Sequence, residues 1–216
     1  MLTVIDGDLS RSPASLVSRE EAEHRIANSL QVISAIVRQR ARAGSLSNPQ
    51  AFLLEIADRI ETVGQLHRLL SESATGEVQL AKYIREICQR LTGALAPEAT
   101  SYSFQCPEEF SLPAKQALPL ALITAELISN SLKYAHPAGL PTRITLSCNP
   151  GANGLEMAYE DDGVGFPEGF DASEAGHMGM RLIQTLSRGL GGDHEWRSDP
   201  LGIQFTMSVP IGRFAE

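Results

Sequence analysis

The chain has 216 residues, 43% hydrophobic and 20% charged, with a formal net charge of −8 at pH 7. That length fits one large or two small domains with enough apolar material for a real core. The acidic balance argues against nucleic acid or an anionic membrane as the main partner. No run of about 18 apolar residues offers a membrane span, and the start MLTVIDGDLSRSP lacks a basic segment followed by an apolar one, so the default expectation is cytoplasmic.

Residues 1–18 read as a short, loosely ordered lead. From Arg19 to about Arg42 the pattern is helical: Ile26, Leu30, Ile33 and Val37 fall on one narrow stripe. Ser18 and Glu21 have the spacing of a capping box. Residues 43–49 (AGSLSNP) have turn composition. A second helix is predicted from about Pro49 to Ser71, with Phe52, Ile56, Val63, Leu66 and Leu70 as its stripe. Two such helices joined by a short link predict an antiparallel hairpin over 19–75. A lone hairpin cannot bury both stripes, so a homodimeric four-helix bundle is expected. Packing against the rest of the same chain is the alternative.

The pattern changes after Gly76, and 76–216 reads as a second domain. Val78–Leu80 reads as an extended entry and Ala81–Leu95 as a helix. Residues 101–106 (SYSFQC) alternate like a strand, and Pro119–Ala135 is a strongly apolar helix. Strands are predicted at Arg143–Cys148 and Leu155–Glu160, joined by a turn over 149–154. A helix follows at Met180–Gly189, then a strand pair at 193–198 and 203–209. The mixture predicts an α+β sandwich with helices on one face of a mixed sheet. Cys88, Cys106 and Cys148 have no metal-ligand spacing and read as reduced, structural thiols.

Three patterns carry chemistry. At about 100° per residue, Asn130 lies about 40° from Glu126 and Lys133 about 20° on its other side. A carboxylate, an amide and an ammonium therefore share one helix face, opposite Leu120, Leu127, Ile128 and Ser131. An amide oxygen suits Mg²⁺ and an ammonium suits phosphate, although a solvated polar face is the plainer reading. Asp161-Asp162-Gly163-Val164-Gly165-Phe166-Pro167 follows a strand. It can expose a carboxylate to an amine while glycines let a flat ring approach the backbone, or it is a simple Asp-Gly turn. Gly176-His177-Met178-Gly179-Met180 feeds a helix N-terminus, a phosphate-binding arrangement.

In this order the three patterns resemble the Bergerat nucleotide-binding fold shared by histidine kinases, gyrase-type ATPases and Hsp90. Residues 126–135 resemble its N box, 161–167 its first glycine box and 179–183 its second. The resemblance spans roughly 77–212. It implies ATP and Mg²⁺ as cofactors, with Asn130 on the metal and Asp161 on the adenine amine. Gly163 and Gly165 would line the purine. Gly179 and the backbone beside it at Met180 would cradle phosphates with support from Lys133. Thr206 would reach the adenine site from the last strand, and Glu126 would stand where gyrase-type ATPases keep a water-activating base.

The segment Glu23-His24-Arg25-Ile26-Ala27-Asn28-Ser29-Leu30-Gln31 resembles the phosphoacceptor segment of HWE-like histidine kinases. Ala27 replaces the usual Lys and Ser29 the usual second Asn. His24 lies about 160° from Ile26 on the helical wheel and is expected to face water. The resemblance implies ATP-dependent phosphorylation of His24 and transfer to an aspartate of a response-regulator receiver domain. Arg25 stands where many kinases place an acidic proton acceptor, which leaves the base open, with Glu23 a candidate. His67 and His136 read as surface or helix-end residues, His177 as part of the ATP lid, and His194 as part of a turn or strand. The lead, about 18 residues, is too short for a ligand-binding fold. That points to a standalone kinase taking its signal from a partner, or to a piece of a longer chain. Two other readings compete: a histidine phosphotransfer or phosphatase protein with little ATP-dependent activity, and an anti-sigma-type serine kinase on the same nucleotide fold.

Overall fold

The structure is a computed structural model describing residues 27, 30–35, 37–38, 41–42, 48–71, 77–95, 100–151, 154–172 and 178–211. His24, Glu23 and His177 lie outside the described residues. Backbone at 27, 30–35, 37–38 and 41–42 is helical, as the stripe predicts. The elements that follow are α1 (Pro49–Ser71), β1 (Glu77–Gln79), α2 (Leu80–Leu95), β2 (Thr100–Gln105), β3 (Ser111–Pro113) and α3 (Ala114–Tyr134). Then come β4 (Thr142–Gly151), β5 (Gly154–Asp161), α4 (Met178–Gly189), β6 (Asp193–Asp199) and β7 (Gly202–Val209).

Five strands form one sheet in the order β2-β4-β5-β7-β6. β2 runs parallel to β4, and the other neighbours are antiparallel. β1 and β3 make a separate two-stranded ribbon. Alternation along the strands sends Ile144, Leu146, Leu155, Met157, Tyr159, Phe205, Met207 and Val209 into the core. The opposite face carries polar pairs such as Gln204 with Glu160. This is the expected α+β sandwich, with a helical part in front of it.

α3 is the central element. It touches the sheet and also α1, α2 and α4. That surrounding explains its apolar sequence: from Ala114 to Ile128 only Lys115 and Pro119 reach solvent. Each fully buried aliphatic side chain here contributes about 1.5–3 kcal/mol. The helix starts at Ala114, five residues before the expected start at Pro119. Pro113 is its N-cap, and Pro119 sits inside it at the cost of one ladder hydrogen bond. β4 and β5 also extend to Gly151 and back from Gly154, so most of the predicted turn is strand.

Part of the hairpin stripe is covered within one chain. Val63, Leu66 and Leu70 are buried within the single chain, as is Ile33 of the leading helix. Phe52 and Ile56 pack against the same core. The Tyr83 hydroxyl donates to the Leu66 carbonyl at 3.1 Å and fastens α1 to α2. Phe52 and Ile56 remain partly exposed, as does Leu30 of the leading helix. Among the described residues, the large apolar side chains that α1 leaves exposed are Leu53, Leu54 and Ile60. All three cysteines are free thiols, Cys88 and Cys148 buried and Cys106 half-buried.

Candidate functional site

β5 ends on Asp161, and its carboxylate is fixed from three sides. One oxygen accepts from the backbone N–H groups of Gly163 at 3.1 Å and Ile203 at 3.2 Å. The other accepts from the Ser131 hydroxyl at 2.5 Å. With its proton committed there, Ser131 accepts from Tyr159, whose hydroxyl lies 2.8 Å away. Burial holds the Tyr159 phenol protonated well above its ordinary range, so this donor chain does not titrate at physiological pH. A carboxylate has about four acceptor positions, and three are filled. The remaining one is free for a donor in the cleft.

The loop after Asp161 is stitched to its surroundings by missing side chains. A Cβ on Gly163 would sit 2.5 Å from Ala135 Cα, so the space belongs to the end of α3. Val164 donates to the Ala135 carbonyl at 2.9 Å. Gly165 has φ +74°, and a Cβ there would meet the Asp199 carbonyl at 2.2 Å. Phe166 N–H donates to Ser198 Oγ at 2.7 Å. Gly165 lines the cleft. Gly163, expected to line a purine, instead packs against protein.

The cleft has a volume of about 460 Å³ and is walled by α3, the Gly165–Pro167 loop, the start of α4, Trp196 of β6 and Ile203 of β7. Asn130, Lys133, Asp161, Gly165, Gly179 and Met180 all line it. Sequence reasoning missed its aromatic wall. Phe166 stacks on Phe170 at 4.7 Å between centroids and on Trp196 at 5.5 Å. Thr206 is a correction. Phe205 and Met207 face the core, so Thr206 points to the open face of the sheet, beside Ala158 and Glu195. Ile203 is the β7 residue that reaches the cleft.

Glu126 also differs from the simple picture of three exposed polar groups on one face. It is 7% exposed, and its carboxylate accepts from Arg59 of α1 at 2.7 Å. Arg59 is equally buried and pairs with Glu55 at 3.1 Å. Burial pushes the Glu126 carboxyl above its ordinary range, against the pull of Arg59 and, more weakly, of Lys133. A Cβ on Gly179 would lie 2.7 Å from Glu126 Oε2, 3.1 Å from Arg59 and 3.7 Å from Asn130 Nδ2. A glycine is therefore what lets the N-terminus of α4 close on this cluster. At the other end of α3, His136 pairs with Asp162 at 3.1 Å. His194 is on β6, where its ring packs on Phe205.

The arrangement fits a nucleotide. The volume is that of a small-ligand pocket, one anchored acceptor faces it, and the start of α4, whose first N–H groups have no partner within the helix, suits phosphate. A magnesium ion fits through the Asn130 amide oxygen together with phosphate and water oxygens. The two nearby carboxylates, Glu55 and Glu126, are both engaged by Arg59. Among the described residues no group of three or more His, Cys, Asp or Glu could hold a metal by itself.

Residues 21–95 match the family described as "Histidine kinase", and 115–213 match "Histidine kinase-, DNA gyrase B-, and HSP90-like ATPase". The chain belongs to the histidine-kinase family. The first match takes in the His24 segment, and the second takes in every cleft residue from Leu127 to Ile203. Among relatives, "Sensor histidine kinase PdtaS" of Mycobacterium tuberculosis is 26% identical over 95% of this chain. "Blue-light-activated histidine kinase 2" of Erythrobacter litoralis is 24% identical over 97%. The chain spans 42% of the first and 62% of the second. The solved Erythrobacter litoralis EL346 blue-light activated histidine kinase superposes with a TM-score of 0.77 at 20% identity, covering 96% of this chain and 63% of that one. The catalytic domain of histidine kinase ThkA superposes with a TM-score of 0.53 at 15% identity, covering 62% of this chain and 94% of that one. Both structures share the fold. These matches agree with the HWE-like branch that the His24 segment resembles. No helix among the described residues is long and apolar enough to cross a membrane.

Proposed function

We propose that this family member is an ATP-dependent protein histidine kinase that phosphorylates its own His24 and passes the phosphoryl group to a receiver-domain aspartate. The observation that carries the reading is a single cleft holding three things. They are an acceptor locked by Ser131, Gly163 and Ile203, the Asn130 amide, and the glycine-opened N-terminus of α4. The division into a hairpin at 19–75 and an ATP-binding domain at 76–216 belongs to the same proposal.

In this reading Asp161 accepts from the adenine amine, and the Phe166–Phe170–Trp196 wall covers the ring. Met180 and Gly179 present backbone to the phosphates, and Lys133, exposed at the cleft edge, neutralises them. Asn130 would hold a magnesium ion through its amide oxygen, and the ion would supply charge neutralisation at the transferring group. The neutral imidazole of His24 attacks the γ-phosphorus in line. The N–P bond forms as the bond to the bridging oxygen breaks, ADP leaves, and the ring proton passes to a base for which Glu23 is the candidate. The protein contributes mainly position and electrostatics.

A labelling assay tests this. With ATP labelled at the γ-phosphate, the chain is expected to acquire an acid-labile label that His24→Ala abolishes and that a receiver domain removes. Absence of label, with acceptance of phosphate from a phosphorylated receiver, would mean a phosphotransfer protein. Label on a serine of an added protein would mean a serine kinase. Either result overturns the proposal.

A further inference from the structure

We infer that Arg59, on the hairpin helix α1, is a positioning residue that keeps Glu126 from activating water, so that bound ATP is reserved for a protein acceptor. The inference rests on the kinase reading above and adds a residue from outside the nucleotide-binding domain to it.

Glu126 lies one helical turn before Asn130 and lines the groove next to the cleft, with its Oε2 turned against Gly179, which lines the cleft itself. A buried carboxylate there is well placed to take a proton from water. The water oxygen would bond to the γ-phosphorus, the bond to the bridging oxygen of ADP would break, and the water proton would go to Glu126. Burial favours that chemistry, because it raises proton affinity toward neutral pH. Arg59 opposes it. Its guanidinium donates directly to Glu126 Oε2 at 2.7 Å, the oxygen that faces Gly179, and so takes one of the lone pairs on the side where a water would have to bind.

Stability alone does not account for the arginine. A buried ion pair is often no better than well-packed apolar residues of the same volume. Moreover, Arg59 Nε is buried without a hydrogen-bond partner, an uncompensated cost. The guanidinium is itself oriented by Glu55, through both its carboxylate and its carbonyl, each at 3.1 Å. The charged surroundings of Glu126 are Arg59 and Glu55 from α1 and Lys133 from α3. Along the neighbouring groove stand Asp58, Glu61 and Arg68 from α1 and Arg90 from α2. α4 approaches through Gly179, which brings no side chain. Among the described residues Arg59 is the cation in direct contact with Glu126. Hairpin docking and suppression of hydrolysis are thereby the same contact.

The test uses the full chain with Arg59→Met, Arg59→Lys and Arg59→Met/Glu126→Gln. Carboxyl titration by NMR, without nucleotide, is expected to show Glu126 moving further up in Arg59→Met and less in Arg59→Lys. With ATP and magnesium, free phosphate release should rise roughly tenfold or more in Arg59→Met, climbing with pH through the raised Glu126 value. Label on His24 should fall relative to phosphate released. The double variant should lose the gain. If Arg59→Met does not fold, Arg59→Lys is expected to give an intermediate gain with the same pH limb. An unmoved Glu126 titration overturns the inference. So does free phosphate no higher than wild type while wild type still labels His24, which leaves the kinase reading intact. No turnover of ATP by any form overturns both.

Discussion

Asp161 illustrates what a fixed acceptor is worth. Its three protein partners come from the start of the next loop, from β7 and from α3, so rotation of the carboxylate breaks contacts on every side. Asp161→Asn preserves shape and keeps an oxygen toward Gly163 and Ile203. It places an NH₂ toward Ser131, which can turn and accept. The fold is therefore expected to survive. What is lost is negative charge and acceptor capacity toward the cleft. A hydrogen bond to a charged group is worth about 1.5–3 kcal/mol, so ATP should bind roughly ten- to a hundredfold more weakly. Trp196 is the chain's single tryptophan and lines the cleft. Its emission should change as ATP and magnesium are titrated into wild type, with the midpoint moved to higher concentration in Asp161→Asn. An unchanged midpoint would remove Asp161 from the adenine site.

Between elements, the contacts that matter are made by what is missing. The loop after β5 lies on α3 because Gly163 has no Cβ where Ala135 stands. Gly163→Ala sets a methyl against backbone, which cannot yield as a flexible side chain would. The loop must lift, taking the Gly163 donor off Asp161. A stability loss of about 1–3 kcal/mol is expected, as for overpacking, together with weaker nucleotide binding; calorimetric melting and an ATP titration check the two separately. An alanine that melts like wild type would show that α3 and the loop are not wedged together. This contact was half legible. The Asp-x-Gly-x-Gly spacing announced a special turn, but only the fold reveals that Gly163 faces a helix and not a ligand. Asn130, Asp161 and Gly179 could be read because each sits in a local motif. Arg59 could not, because its partner Glu126 is 67 residues away and nothing in the local pattern joins them. Tyr159 and Ser131 were hidden the same way, as a core aromatic and a small residue on an apolar helix face. Thr206 was a readable error. Ile203, Phe205, Met207 and Val209 alternate, and that period of two already places Thr206 on the other face.

For the molecule as a whole, the issue is how the hairpin is covered. Val63, Leu66 and Leu70 of its main stripe are buried within the chain, so a homodimer built on α1 would use its exposed Leu53, Leu54 and Ile60. Fully burying such a side chain contributes about 1.5–3 kcal/mol. The three on α1 together supply less than about 9 kcal/mol. Association costs about 4–15 kcal/mol before any surplus appears. Nanomolar affinity needs about 12 kcal/mol net, far beyond what this face provides, unless the leading helix adds most of the interface. A dimer resting on the open face of α1 should therefore be weak. Analytical ultracentrifugation is expected to show a monomer–dimer equilibrium that shifts with concentration across the micromolar range. Leu53→Glu with Ile60→Glu should make the chain monomeric at every concentration without lowering its melting point, since neither side chain belongs to the packed core. A dimer that survives both charges would have to be held by the leading helix around His24, and the phosphoacceptor would then sit at the subunit interface instead of on an open flank.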